Sequence, residues 1–223
     1  MKKLFLAEFI GTFFLIFFGL SALIIRDYSS NFGSVGAAFV FGTTIGAATY
    51  FFGRISGAHF NPALSFASFI TAEISFKDFL IYVISQILAG FGACFLLLII
   101  FSERFYTASI PSDMSISMFL ENDISFPTLI LILESIFSFF LALVYFMSIK
   151  NNKIRNRIVP IFIGGTYFTA CMILLNINGF GINPLRVVIP ALFKWNWTNV
   201  AYYVTANFIG ALIGGITATY FKK

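Results

Sequence analysis

The chain has 223 residues, 59% of them hydrophobic and 10% charged, and its mean hydropathy is +0.94. A water-soluble domain carries roughly 25% charged residues, so most of this surface is expected to face lipid. The formal charge of +5 sits in short connectors instead of on one helix face, which argues against a nucleic-acid partner.

Six nearly uncharged stretches, at about 4–25, 35–52, 79–101, 128–149, 158–175 and 199–221, are long enough to cross a bilayer core as helices. The first follows Lys2 and Lys3 as a secretory signal would. It is too long for such a signal, carries Glu8 and shows no small-residue cleavage site, so it is read as a retained span. Two further apolar stretches, 61–70 and 183–193, are too short to cross. Each opens on Asn-Pro, as Asn61-Pro62-Ala63 and Asn183-Pro184-Leu185. Asn favours the helix N-cap and Pro the first helical position, so each stretch predicts a short helix starting abruptly at its Asn. About ten residues reach roughly half-way through the hydrocarbon core.

Lys and Arg set the orientation. With both termini cytoplasmic, ten basic residues lie inside (Lys2, Lys3, Arg54, Lys77, Lys150, Lys153, Arg155, Arg157, Lys222, Lys223) and four outside (Arg26, Arg104, Arg186, Lys194). Asp27, Glu103, Asp113, Glu121 and Asp123 fall on the external side. Cys94 and Cys171 sit in apolar runs and imply no disulfide framework. No zinc, P-loop or nucleophile-elbow pattern occurs, so neither an enzyme nor a metal or cofactor is expected.

The halves of the chain match each other in order. Ala7-Glu8 to Phe14 parallels Leu133-Glu134 to Phe140, Asn61-Pro62 parallels Asn183-Pro184, and Tyr82 to Gln86 parallels Tyr203 to Asn207, at offsets of 126, 122 and 121 residues. Repeat one covers about 1–101, an external connector 102–124, and repeat two about 125–223, within a single transmembrane domain. Three spans per half require the second repeat to be inverted, so the two half-helices enter from opposite faces and meet near the midplane. The lead-in segments 54–60 and 176–182 are then unwound backbone lining a polar path. Both helix N-termini converge there, each carrying about half a positive charge. That field repels protons and metal cations, while neutral polar molecules still accept hydrogen bonds from Asn61 and Asn183.

The segment Ser56-Gly57-Ala58-His59-Phe60-Asn61-Pro62-Ala63, with Gly181-Ile182-Asn183-Pro184-Leu185-Arg186 and Ala7-Glu8-Phe9-Ile10-Gly11-Thr12, resembles the signatures of the aquaporin and glycerol-facilitator superfamily along essentially the whole chain. The resemblance implies an all-α membrane fold with six transmembrane helices and two re-entrant half-helices in an inverted 3+3 repeat. It also implies a homotetramer in the cell membrane, with one pore per subunit for small neutral solutes, and a constriction of four side chains. Carried over one at a time, those positions hold Phe41, Cys171, Phe180 and Arg186. Cys171 in place of the water channels' usual histidine, and Phe180, resemble glycerol facilitators. Phe41, Val187, Ala191 and the short 193–199 connector resemble water channels. Water, glycerol, urea, ammonia and an uncharged metalloid acid all stay open as substrates.

Leu185 stands where the family has alanine, and its added volume at a crowded junction predicts a displaced Asn183. Arg186 reads as a constriction residue in preference to a snorkelling interfacial one, because of its offset from Asn183. His59, the only histidine, lines the inner pore or is a satisfied buried group, and no second ligand accompanies it. Glu8 and Glu134 are expected to accept hydrogen bonds from the unwound loops instead of relaying protons. Gly42-Xaa-Xaa-Xaa-Gly46 and Gly210-Xaa-Xaa-Xaa-Gly214 predict close helix packing. Two readings compete with a passive channel: an ion-coupled transporter with an inverted repeat, and a packing element without transport.

Overall fold

The computed structural model describes residues 1–29, 31–108, 124–149 and 158–221. The basic loop 150–157, the acids Asp113, Glu121 and Asp123, the Lys222-Lys223 end, and residues 109–123 of the 102–124 connector lie outside the described residues. The described residues form helices α1 (Lys2–Tyr28), α2 (Gly33–Ser56), α3 (Pro62–Ile70), α4 (Phe76–Phe101), α5 (Glu103–Ala108), α6 (Phe126–Ile149), α7 (Val159–Leu174), α8 (Pro184–Lys194) and α9 (Val200–Tyr220), with no strand among them.

Five of these, α1, α2, α4, α6 and α9, are long and apolar enough to cross a membrane. Their outer faces carry large exposed apolar side chains such as Phe39, Phe51, Phe95, Ile99 and Ile213, which only a lipid or protein neighbour would tolerate. The span expected over 158–175 is α7, at 16 residues and thus about 24 Å, shorter than the other five. After Leu174 the chain turns inward, and the N–H groups of Asn178 and Gly179 both donate to the Leu174 carbonyl (2.8 and 2.9 Å). The turn feeds the second re-entrant loop and so cuts the helix short. The short α5 was not expected from the sequence. Ser102 at φ 46° ends α4, and α5 then buries Phe105 completely beside Phe193, with ring centroids 6.0 Å apart.

Packing interlocks the two halves. α1 lies against α2 and α4, and α6 against α7 and α9. Across the halves α2 packs on α7, α3 on α9, and α4 on α8. Glycines set the closest approaches. A Cβ at Gly42 would stand 2.8 Å from the Gly164 carbonyl oxygen, and one at Gly164 would stand 2.7 Å from that of Gly42. On α9, a Cβ at Gly210 would meet the Ser135 carbonyl oxygen at 2.2 Å and one at Gly214 that of Phe139 at 2.6 Å. All four atoms met are backbone, which cannot rotate aside. Gly210→Ala should therefore push α9 off α6 and cost about 1–3 kcal/mol. A lowered unfolding midpoint of the detergent-solubilised protein would report it, with Gly165→Ala, where a Cβ meets nothing within 4 Å, as the silent control.

Candidate functional site

The centre of the fold is built from two loops of non-helical backbone, each leading into a half-helix. Gly57 and Ala58 have φ of 86° and 59°, and Gly179 and Phe180, 122 positions later, have 87° and 61°. The left-handed region favours glycine and costs an L-residue roughly 1 kcal/mol, so Ala58 and Phe180 are held there by their surroundings.

Two carboxylates provide that hold. Glu8 is fully buried on α1. Its Oε1 accepts from Ser56 Oγ (2.6 Å) and His59 N (3.0 Å), and its Oε2 from Phe60 N (2.7 Å) and Gln86 Nε2 (2.7 Å). Glu134, fully buried on α6, accepts from Gly181 N (2.7 Å) and Asn178 Nδ2 (3.0 Å) at Oε1, and from Asn207 Nδ2 (3.0 Å) at Oε2. Two tyrosine hydroxyls finish the loops, Tyr82 donating to the Ser56 carbonyl and Tyr203 to that of Asn178.

The loops deliver Asn61 and Asn183 to one point. Asn61 Oδ1 accepts from Ala63 N (2.9 Å), and its Nδ2 donates to the Ile182 carbonyl (2.9 Å). Asn183 Oδ1 accepts from Leu185 N (3.1 Å), and its Nδ2 donates to the Phe60 carbonyl (2.8 Å). Each asparagine thus caps its own half-helix and ties down the carbonyl before the other. Pro62 and Pro184 open the two helices as their first residues. Leu185, like Ala63, is buried in the main apolar cluster, and Asn183 bonds both Leu185 N and the Phe60 carbonyl.

Toward α7, Phe41, Phe180 and Arg186 come together. The Phe41 and Phe180 rings meet edge to face at 4.9 Å, and the Arg186 guanidinium lies 5.9 Å from the Phe180 ring. Phe41 is pressed against Gly19, where a Cβ would stand 2.2 Å from its ring. Arg186 is 3% exposed; its Nη2 donates to the Gly179 carbonyl (2.8 Å), while Nε and Nη1 have no partner. Beside them is a cavity of about 10 Å³, lined by Leu15, Ile16, Phe41, Tyr167, Phe180, Ile182, Asn183 and Arg186, the room of a single water. Cys171 is fully buried on α7 and is not part of that lining. Tyr167, one turn earlier on the same face, is, and the sequence reading passed it over. The signal for it was its i−4 position relative to Cys171.

On the side of α3, His59 is buried, with Nδ1 3.0 Å from Ser65 Oγ and its ring edge-on to Tyr82 and Tyr145. No cluster of metal-ligating side chains occurs among the described residues. Loop carbonyls, two side-chain amides and one guanidinium thus converge where the two half-helix N-termini meet.

Comparison with known proteins agrees with this geometry. Residues 1–218 match the family model described as Major intrinsic protein. The chain belongs to the major intrinsic protein family. It is a multi-pass membrane protein and a passive channel for water and small uncharged solutes, not an enzyme. It is 30% identical to Aquaporin NIP1-1 of Arabidopsis thaliana, over 96% of this chain and 71% of that protein. It is 29% identical to Glycerol uptake facilitator protein-like 6 of Lactiplantibacillus plantarum, over 98% of this chain and 97% of the relative. Among solved structures, the aquaglyceroporin from Plasmodium falciparum superposes with a TM-score of 0.74 at 19% identity, covering 100% of this chain and 96% of the other, which shows a shared fold.

The first loop of the channel depends on one acceptor for four donors. Glu8→Ala would leave the Phe60 and His59 N–H groups buried without a partner, at about 1–3 kcal/mol each. Thermal unfolding in detergent should show Glu8→Ala as strongly destabilised, with Glu8→Gln retaining part of the loss because an amide oxygen can still accept.

Proposed function

We propose that each chain, within a homotetramer, forms one pore that conducts water and small uncharged solutes up to about the size of glycerol, and excludes protons and ions. The observation that carries this reading is the reciprocal pair of bonds from Asn61 to the Ile182 carbonyl and from Asn183 to the Phe60 carbonyl. That exchange sets two helix N-termini nose to nose inside the membrane. A hydronium or metal ion arriving there meets positive potential from both sides. A neutral solute meets two amides and the carbonyls of the two loops.

In this reading Phe41, Cys171, Phe180 and Arg186 form the selectivity filter, and Asn61, Pro62, Ala63, Asn183, Pro184 and Leu185 form the midplane. His59 lines the inner path. Phe41 and Phe180 present apolar walls, and Arg186 presents two unpartnered nitrogens to a hydroxyl or water oxygen. Glu8 and Glu134 are structural supports, since their acceptor oxygens are engaged by the loops and by Gln86 and Asn207. That occupation argues against a proton relay and hence against ion coupling. The Lys and Arg distribution supports a cell-membrane orientation with both termini in the cytoplasm.

Stopped-flow light scattering on proteoliposomes tests the reading. Water permeability should exceed that of empty vesicles, with no change between pH 6 and 8 and no proton entry under an imposed potential. Cys171→His, which adds bulk and a polar ring beside Arg186, should lower glycerol permeability by about tenfold relative to water. Equal permeability of loaded and empty vesicles to every neutral solute would reject the channel.

A further inference from the structure

Tyr167 is a buried polar side chain at the junction of the two loops. It is 2% exposed and lines the small cavity between Phe41, Phe180, Arg186 and Asn183. Its ring stands edge-on to Phe180, with centroids 6.2 Å apart. The amide side chains of Asn61 and Asn183 lie close enough to interact with its hydroxyl, but neither makes a well-formed hydrogen bond to it.

The two halves are not alike here. Gly42 and Gly164 face one another reciprocally at an offset of 122, so the position on α2 that corresponds to Tyr167 is Ile45. Ile45 is equally buried but carries no polar atom. The repeat therefore supplies an apolar wall on one side of the junction and a phenol on the other. A buried donor without a fixed partner is rare in a native fold, because its desolvation goes uncompensated. A file of moving solute is a partner that comes and goes, and Arg186 Nε and Nη1 share the same condition in the same cavity.

Resting on the channel reading above, we propose that Tyr167 is a size-limiting residue of the pore and a third hydrogen-bonding group at its midplane. The ring narrows the passage between filter and asparagine pair to the width of one water. The hydroxyl receives a solute from Arg186 and passes it to Asn61 and Asn183. A water fits the space as it stands, whereas a three-carbon triol must push the ring aside.

The test compares wild type with Tyr167→Val and Tyr167→Phe in proteoliposomes of matched protein content, each checked for a monodisperse peak by size exclusion. Tyr167→Val removes the ring and should raise glycerol permeability by about tenfold or more, with a smaller gain for water. Tyr167→Phe keeps the ring and removes the hydroxyl; glycerol should stay as slow as in wild type while water slows several-fold. A conducting wild type with both variants within experimental error of it would overturn the proposal and leave the channel intact. Vesicles as tight as empty ones for all three proteins would sink the channel reading and this proposal together. A silent wild type opened by Tyr167→Val would support the size limit. Tyr167→Phe matching wild type for water would overturn the hydroxyl's part.

Discussion

Non-helical backbone inside a bilayer must find a partner for every N–H and C=O within the protein, since lipid offers none. The two loops that precede the half-helices create that demand, and Glu8 and Glu134 answer it. Each is fully buried, on α1 or α6, and takes main-chain donors from the unwound loop together with a side-chain amide from α4 or α9, Gln86 or Asn207. Without those acceptors the left-handed residues Ala58 and Phe180 would have no reason to hold their strained dihedrals. The asparagine pair would then lose its alignment. Carboxylates that elsewhere in membranes move protons are here consumed in holding backbone still.

From that restraint follows the division between scaffold and path. The scaffold is glycine-spaced, with α2 on α7 and α6 on α9 approaching so closely that a single Cβ would strike backbone. At the junction this close packing leaves room for two phenylalanines, a guanidinium, a phenol and two amides. Arg186 and two helix N-termini bring positive field to the junction, with the buried carboxylates Glu8 and Glu134 set behind the loops. Neutral polar molecules lose least on entering such a path, and cations lose most.

Much of the architecture was legible in the chain because its signals are local. Hydropathy runs marked the spans, and Asn-Pro at the head of a short apolar stretch marked α3 and α8, whose first residues are Pro62 and Pro184. The glycine pairs on α2 and α9 were read as packing and lie against backbone of neighbouring helices. The readings that differed depended on distant partners. α7 ends early because the loop that follows must fold back to Leu174, and α5 exists because Phe105 finds Phe193 across the sequence.

The sequence alone determined that the chain crosses a membrane, where its apolar helices and two half-helices begin and which carboxylates lie within them, because hydropathy, N-capping and spacing are written in neighbouring residues. Tertiary structure decided which groups meet. It brought Asn61 within bonding distance of the Ile182 carbonyl, wrapped the first loop around Glu8, and set Tyr167 in the cavity from which Cys171 is missing. No local pattern distinguishes a tyrosine that faces lipid from one that faces a path. Only the packing of α7 against α2, and the return of the loop carrying Phe180, turned this one inward.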